Sequence, residues 1–170
     1  MTRKWMRVFI VSLAVILLVG CSSLDEETKD GIENATLAFQ GKAEKSNKKL
    51  NNIKLFLPSG FSVEDDSDEN NIILSKGKES YLLFINPNEL PSSKLYYDLM
   101  VADSNLKIIE NKTFEQNGRF GFAAIIESSE EKYELVTSIG GIKLTTISKQ
   151  QDIAENLKQM MTIVRSITQN

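Results

Sequence analysis

The amino-acid sequence predicts an α+β domain, in which helices cover an antiparallel β-sheet. The first sign is a series of strand-like runs, separated in part by Asn117-Gly118 and Gly140-Gly141, which are typical of β-hairpin turns. These runs cover 106–115, 120–127, 132–139 and 142–148. The second sign is a stripe of apolar residues at helical spacing near the C-terminus. Together they predict a four-stranded antiparallel meander with a helix packed on it.

Apolar and polar residues alternate along the meander, as expected for strands that bury one face. One predicted face carries Tyr133, Leu135, Thr137, Ile139, Ile142, Leu144 and Thr146. The opposite face carries Lys132, Glu134 and Ser138. We therefore expect the first set to face the core.

Ahead of the strands, a helix is predicted over about 31–52, because apolar residues recur there at helical spacing. These residues are Ile32, Ala35, Phe39, Ala43 and Leu50. Its later turns are rich in lysine, which complements the dipole at a helix C-terminus. The lysines are Lys42, Lys45, Lys48 and Lys49. They indicate a solvated helix face, with contact to phospholipid or a wall polymer as the alternative.

Short strands are predicted in the first half of the chain at 53–57, from 61 onward, at 72–75 and at 81–85. The last two are joined by Lys76-Gly77-Lys78 and form a predicted hairpin. Ser92 or Ser93 is then expected to cap a short helix. That helix carries Leu95, Tyr96, Leu99 and Met100.

The C-terminal helix is predicted over about 152–167. Its apolar stripe consists of Ile153, Leu157, Met160, Met161, Val164 and Ile167. Asp152 is the expected N-cap, and Glu155 three residues later completes the outline of a capping box. The stripe indicates a helix that packs on its own sheet, with a partner-binding face as the alternative.

The N-terminus has the features of a predicted targeting signal. Arg3, Lys4 and Arg7 precede an uncharged apolar segment at 8–19, which is shorter than the roughly 20 residues that a membrane span needs. These are the proportions of a signal peptide, predicted over 1–20. Leu18-Val19-Gly20-Cys21 resembles the bacterial lipobox. The resemblance implies transfer of diacylglycerol to the Cys21 sulfur and cleavage between Gly20 and Cys21.

A lipid on Cys21 implies a chain that is held on the extracytoplasmic face of a cell membrane, and the membrane is then its first partner. Two or three acyl chains anchor a protein firmly where one does not. The alternative is a plain signal anchor with an incidental cysteine. The polar segment at 21–31 predicts a flexible tether that lifts the domain off the lipid.

Composition excludes several classes of function. The chain contains no histidine and one cysteine, so the commonest general base, an internal disulfide and multi-cysteine zinc sites are absent. Removal of 1–20 leaves 17 cations against 23 acids, a net charge of −6. A chain this acidic is not expected to bind nucleic acid or to present a polybasic patch to anionic lipid. We expect no cofactor.

Three short motifs stand out in the chain, "FLPSGFSVE" at 56–64, "NGRFGFAAII" at 117–126 and the final "IVRSI" at 163–167. They resemble the PsbP-like domains of thylakoid-lumen proteins and small bacterial lipoproteins. The resemblance covers about 53–168, and none of its motifs is catalytic. It implies a single PsbP-like α+β domain, which we place at 32–170, with the helix before Ile53 as a departure from the family.

A calcium hypothesis arises in the acidic stretch 64–71. Asp66, Asp68 and Asn70 occupy positions one, three and five of an EF-hand loop, but the sixth position is Asn71 and the twelfth is Gly77. A solvated turn between two strands is therefore the stronger interpretation, and a weak surface calcium site is the alternative.

Aromatic residues offer a second candidate surface. Tyr96 and Tyr97 are adjacent on the predicted short helix, so they cannot both face the core fully. Exposed tyrosines are typical of binding surfaces. Ordinary packing is the favoured interpretation, and a binding surface for a protein or peptide is the alternative.

From these residues we predict a membrane-anchored extracytoplasmic lipoprotein that serves as a non-enzymatic binding or assembly-support module. The alternative function is an immunity or sequestering lipoprotein, whose acidic domain captures a cationic membrane-active peptide. Carboxylate pairs such as Glu130-Glu131 lie in predicted turns, where nothing desolvates them enough for acid–base chemistry. An enzyme is therefore not expected.

Overall fold

The computed structural model describes residues 23–50 and 52–169. Its helices are α1 (Leu24–Gln40), α2 (Leu95–Ala102) and α3 (Ile153–Ser166), and a 3₁₀ turn, Gln150–Asp152, leads into α3. The strands are β1 (Lys48–Leu50), β2 (Ile53–Leu55), β3 (Phe61–Val63), β4 (Asn71–Lys76), β5 (Glu79–Ile85), β6 (Ile108–Gln116), β7 (Arg119–Ser129), β8 (Lys132–Ile139), β9 (Ile142–Lys149) and β10 (Thr168–Gln169). The predicted α+β class is confirmed.

Seven strands form one antiparallel sheet in the order β3-β4-β5-β9-β8-β7-β6. The predicted meander β6 to β9 is confirmed, and β9 continues it by pairing with β5. A small second sheet has the order β1-β2-β10.

The large sheet has two faces, here called the inner and the outer face. Side chains that the alternation predicts to be buried lie on the inner face, among them Leu135, Leu144 and Thr146. Helices α1 and α3 cover this face and form the main core with it. The predicted stripe of α3 is buried throughout, which confirms that this helix packs on its own sheet.

Helices α1 and α3 run in the same direction. The α1 carboxylate of Glu27 accepts a hydrogen bond from the Ala154 amide at 3.4 Å, and Arg165 donates its Nε–H to the Phe39 carbonyl at 3.1 Å. A Cβ at Gly31 would lie 2.9 Å from Leu157 Cδ1, so the missing side chain lets the two helices approach closely. Each helix therefore starts at the same end of the sheet.

Helix α2 covers part of the outer face. A second cluster of buried residues joins it to the sheet, namely Met100, Phe120, Phe122, Ala124, Ile126 and Val136. Tyr96 and Tyr97 pack against this cluster. Strand β7 is thus buried on both faces over most of its length.

The N-terminal helix differs from its prediction. It was expected over 31–52 after a flexible tether at 21–31, but α1 begins at Leu24 and ends at Gln40. The tether is therefore wrong for 24–31, because Thr28 and Gly31 are buried in the helix. Ser23 accepts a hydrogen bond from the Glu26 amide, and the acidic first turn that suggested a tether complements the helix dipole instead.

The lysine-rich segment also differs from its prediction. Gly41 ends α1 with extended backbone, and Lys48 and Lys49 belong to strand β1. The lysines at 42–49 are thus not the last turns of a helix. Leu50 packs at the margin of the core from the strand instead.

One predicted cap is confirmed in position only, and another is shifted. Asp152 is the N-cap of α3, as predicted, but with φ −106° and ψ −1° its side chain makes no capping hydrogen bond, so the capping box with Glu155 does not form. Lys94, rather than Ser92 or Ser93, occupies the N-cap of α2, although Ser93 Oγ accepts from the Leu95 amide at 3.2 Å.

Within the described residues, every helix is too short or too polar to span a bilayer. The predicted signal peptide at 1–20 and the predicted lipidation site Cys21 lie outside these residues.

Candidate functional site

A cleft of about 780 Å³ opens at one end of the large sheet, here called the lower end. This end holds the β4–β5 turn, the β7–β8 turn, the last residue of β9 and the start of α3. Four lysines line the cleft, and we call it the lysine cleft: Lys76, Lys78, Lys132 and Lys149. Its other lining residues are Glu79, Ser80, Ile147, Ser148, Asp152, Glu155 and Asn156.

Strand pairing brings the four lysines together from two hairpins. Lys76 and Lys78 flank Gly77, whose φ of 61° suits the tight β4–β5 turn. Lys132 begins β8 and Lys149 ends β9, and the two residues are direct cross-strand partners. Like charges directly opposite each other are destabilising in a sheet. The pair therefore concentrates positive charge at this end of the sheet.

The cleft lysines have few partners of their own. Lys76 Nζ donates a hydrogen bond to Gln159 Oε1 at 2.8 Å. Within 23–50 and 52–169, Lys78, Lys132 and Lys149 form no salt bridge; those in this part of the chain are Lys94–Glu115, Lys107–Glu127 and Lys158–Glu155. These three side chains are exposed at one end of the domain, and no carboxylate of the described residues lies within salt-bridge distance of them.

The carboxylates of the cleft are largely engaged elsewhere. Glu155 accepts from Gln159 Nε2 at 2.6 Å and lies 3.9 Å from Lys158 Nζ. Glu79 accepts from Tyr81 Oη at 2.6 Å and from Asn156 Nδ2 at 3.3 Å. Asp152 is half-buried beside them. The lining holds four lysines and three carboxylates, a net formal charge of +1, although the chain as a whole is acidic.

A buried polar network forms the floor of the cleft. Tyr81 is fully buried, and its hydroxyl lies 3.0 Å from Asn156 Oδ1 as well as next to Glu79. Asn156, which is 2% exposed, also donates from Nδ2 to Ser148 Oγ at 3.0 Å. This network satisfies polar groups that would otherwise be costly to bury.

The network does not prepare Tyr81 for proton transfer. Burial raises the pKa of Tyr81, and the hydrogen bond to Glu79 and the charge of that carboxylate raise it further. A general acid or base works best when its pKa lies near the working pH. The raised pKa moves the Tyr81 phenol away from that range, so we interpret the network as structural.

The tyrosines predicted as a candidate surface are half-buried on the outer face. The Tyr96 ring lies 6.0 Å from the Phe84 ring, and the Tyr97 ring lies 5.8 Å from Phe120 and 5.5 Å from Phe122. Lys143 Nζ lies 5.2 Å from the centre of the Tyr96 ring. Both side chains hold α2 on the sheet, and a binding role for them stays a prediction.

The acidic stretch 64–71 forms a turn that uses its own carboxylate. Asp68 Oδ1 accepts from the amides of Asn70 at 2.8 Å and Asn71 at 2.6 Å. Backbone hydrogen bonds, that from Asn71 first, hold the pKa of Asp68 below its usual value. No three histidine, cysteine, aspartate or glutamate side chains converge in the described part of the chain. The calcium hypothesis at Asp66, Asp68 and Asn70 gains no ligand set here and stays a prediction.

Gly20 and Cys21 precede the described residues, which begin at Ser23. Ser23 caps α1, whose first turns lie beside the start of α3 through the Glu27–Ala154 contact. The chain therefore enters the domain at the lower end, the end that carries the lysine cleft.

The lysine cleft was missed in the sequence, although a signal for it was present. The two-residue Gly140-Gly141 turn pairs Ile139 with Ile142, and counting back along both strands pairs Lys132 with Lys149. The contribution of Lys76 and Lys78 could not be found in this way, because it depends on β5 pairing with β9, whose partners, from Ile85 and Ile142 to Tyr81 and Thr146, are 57 to 65 residues apart in the chain.

Comparison with known proteins gives a distant structural likeness. No protein-family model matches the chain. No curated protein matches it in sequence. Among solved structures, the chain is similar to the cyanobacterial PsbP, CyanoP, of Synechocystis sp. PCC 6803, with a TM-score of 0.41 and 13% identity over 77% of this chain and 95% of that one. A likeness of this size carries no argument about the family or the function of this chain.

Proposed function

We propose that this protein is a bacterial lipoprotein, attached through Cys21 to the extracytoplasmic face of a membrane, whose single domain is a non-catalytic binding or assembly-support module. The lipobox-like Leu18-Val19-Gly20-Cys21 supports the anchor. The lysine cleft, with its positive charge and buried polar floor, supports a binding role.

The start of α1 is the observation that carries the proposal. Leu24 is three residues from Cys21, and three residues span at most about 11 Å. A lipid on Cys21 would therefore hold the lower end of the domain directly on the bilayer, without an intervening tether. A domain held in this way works at the membrane surface.

The chemistry of the cleft supports binding over catalysis. The sequence contains no histidine, and the pKa of Tyr81 is raised by burial. The exposed cationic groups of the cleft are lysine ammonium ions, which attract and hydrogen-bond anions. Capture of a cationic peptide, the alternative function, rests on the net charge of the mature chain alone.

Substitution of the anchoring cysteine tests this proposal. We expect Cys21→Ala to abolish fatty-acid labelling in growing cells and to leave a longer, uncleaved precursor, because the sulfur is the proposed acceptor of diacylglycerol. Labelling is measured with a radioactive or clickable palmitate, and chain length by intact mass. Ser22→Ala, one residue later, is the matched control and should keep both label and cleavage.

A Cys21→Ala protein that is still labelled and processed would overturn the lipid anchor. Loss of the label in the Ser22→Ala control as well would show that the assay reports on processing of the precursor in general.

A further inference from the structure

We propose that the lysine cleft binds the phosphate of an anionic phospholipid headgroup in the membrane that anchors the chain. This inference rests on the proposed lipid anchor at Cys21. The inference adds a ligand and an orientation to the proposed anchor. The lower end of the domain faces the bilayer, and the cleft lies at the lipid headgroups.

The direction of α1 determines the orientation. Its 17 residues span about 25 Å, from Leu24 at the lower end to Gln40 at the other. Because α3 runs in the same direction, its first turn, which borders the cleft, lies at the lower end too. An anchor three residues before Leu24 therefore brings the bilayer to the end that carries the cleft.

The charge arrangement favours an anion between the lysines. Lys132 and Lys149 face each other across β8 and β9, and Lys78 lines the same cleft. Within the described residues none of the three forms a salt bridge, and the four lysines of the lining outnumber its three carboxylates, Glu79, Asp152 and Glu155. A phosphate would accept hydrogen bonds from these ammonium groups and offset their repulsion.

A lipid phosphate fits the cleft better than a soluble one because the lining is amphipathic. Ile147 lies beside the lysines and is 48% exposed, which offers an apolar contact to the glycerol and acyl part of a lipid. Anionic headgroups at a membrane surface also attract lysines held close to it. The cleft thus offers cationic groups to a lipid phosphate and an apolar side chain to the adjoining part of the same lipid.

The other lysine-rich segment provides a matched control. Lys42 and Lys45 follow the C-terminal end of α1, about 25 Å from Leu24 along the helix, and are exposed. They carry the same charge as the cleft lysines and lie at the opposite end of the domain. The proposal therefore predicts that membrane lipid protects the cleft lysines from chemical modification and leaves Lys42 and Lys45 free to react.

The test uses the full lipidated protein, with its lipid first verified by intact mass, reconstituted into two kinds of vesicle. One kind is phosphatidylcholine alone, and the other also contains phosphatidylglycerol. A water-soluble acylating reagent modifies exposed lysines, and peptide mass spectrometry gives the rate for each residue. We expect Lys78, Lys132 and Lys149 to react about fivefold more slowly in the vesicles with phosphatidylglycerol. Lys42 and Lys45 should react equally in both.

Two further arms sharpen the result. Soluble glycerol phosphate, added to vesicles of phosphatidylcholine alone, should give less protection than the lipid. The double variant Lys132→Gln/Lys149→Gln should lose the protection of Lys78, whereas the control Lys42→Gln/Lys45→Gln should keep it.

Equal rates at the cleft lysines in both vesicles would overturn the inference. So would equal protection by soluble glycerol phosphate, or equal protection of Lys42 and Lys45. Failure of the anchor is seen separately, as the absence of lipid mass on Cys21.

Discussion

The inner and outer faces of the large sheet are built from the same strands, yet they are covered to different degrees. Two long helices close the inner face, and its side chains form the main core. On the outer face, the eight-residue helix α2 covers residues of β7 and β8. On the neighbouring strands of that face, Leu82 and Ile147 stay 44% and 48% exposed.

The difference teaches that burial of a strand depends on what lies above it as much as on its own sequence. Strand β7 is buried on both faces where α2 lies over it, whereas β5 alternates between buried and exposed residues. A helix of eight residues is not stable by itself, so α2 depends on its contacts with the sheet. We therefore expect the inner face to govern global stability and the outer face to respond locally.

The largest expected effect is a cavity on the inner face. Leu157 of α3 is fully buried, so Leu157→Ala should lower the free energy of unfolding by about 2–5 kcal/mol. Urea denaturation of the purified protein measures this change. Leu99→Ala removes the same atoms from a side chain that is 59% exposed, and it should change stability by less than about 0.5 kcal/mol. Equal losses of stability in the two variants would contradict the view that the inner face governs global stability.

A smaller and more local effect is expected where α2 meets the sheet. Tyr97→Ala removes two aromatic contacts, with Phe120 and Phe122, and should cost about 1–3 kcal/mol. Hydrogen exchange should become faster in α2 while the amides of β8 stay protected. Leu95→Ala, on the same helix, is the control and should leave exchange unchanged. Faster exchange through the whole sheet would show that the outer face also governs global stability.

The smallest expected effect concerns the polar floor of the lysine cleft. Tyr81→Phe keeps the ring on the inner face and removes only the hydroxyl, so the loss should be about 1 kcal/mol. Ser62→Ala, which removes an exposed hydroxyl partnered with Ser75, is the control for a hydrogen bond outside the core.

The same variant should alter the response to alkaline pH. Burial raises the pKa of Tyr81 above its ordinary value of 10.0, so the folded protein retains a proton that the unfolded chain releases. Its contribution to stability is therefore present below pH 10 and is lost as pH rises beyond it. Above pH 10 the stability of Tyr81→Phe should fall less steeply than that of the wild type. Parallel curves would show that the phenol is not a cause of alkaline unfolding.

Local patterns in the sequence were sufficient for much of this fold. The hairpin turns at Asn117-Gly118 and Gly140-Gly141, the alternation in β8 and β9 and the stripe of α3 each report on residues that are neighbours in the chain. Such signals are readable because strand and helix periodicity place the side chains on one face. The N-terminal helix was misplaced, since acidic residues such as Asp25 and Glu26 fit a tether and the first turn of a helix equally well.

The candidate site was readable only in part. Cys21 stands out in the sequence because the residues before it have the proportions of a signal peptide and form a lipobox-like motif. The lysine cleft does not stand out, because its members come from chain positions as far apart as Lys76 and Lys149, in a chain whose overall charge is negative. Net charge averages over the surface and cannot report where like charges meet.

By itself, the sequence determined the fold class, the antiparallel meander, the packing of the C-terminal helix and the proposal of a lipid at Cys21. The tertiary structure decided the start of α1, the cover of each face and the meeting of four lysines at the end where the chain enters. The physical reason is range: periodicity and turn chemistry act between near neighbours, whereas charge and burial depend on contacts between residues far apart in the chain.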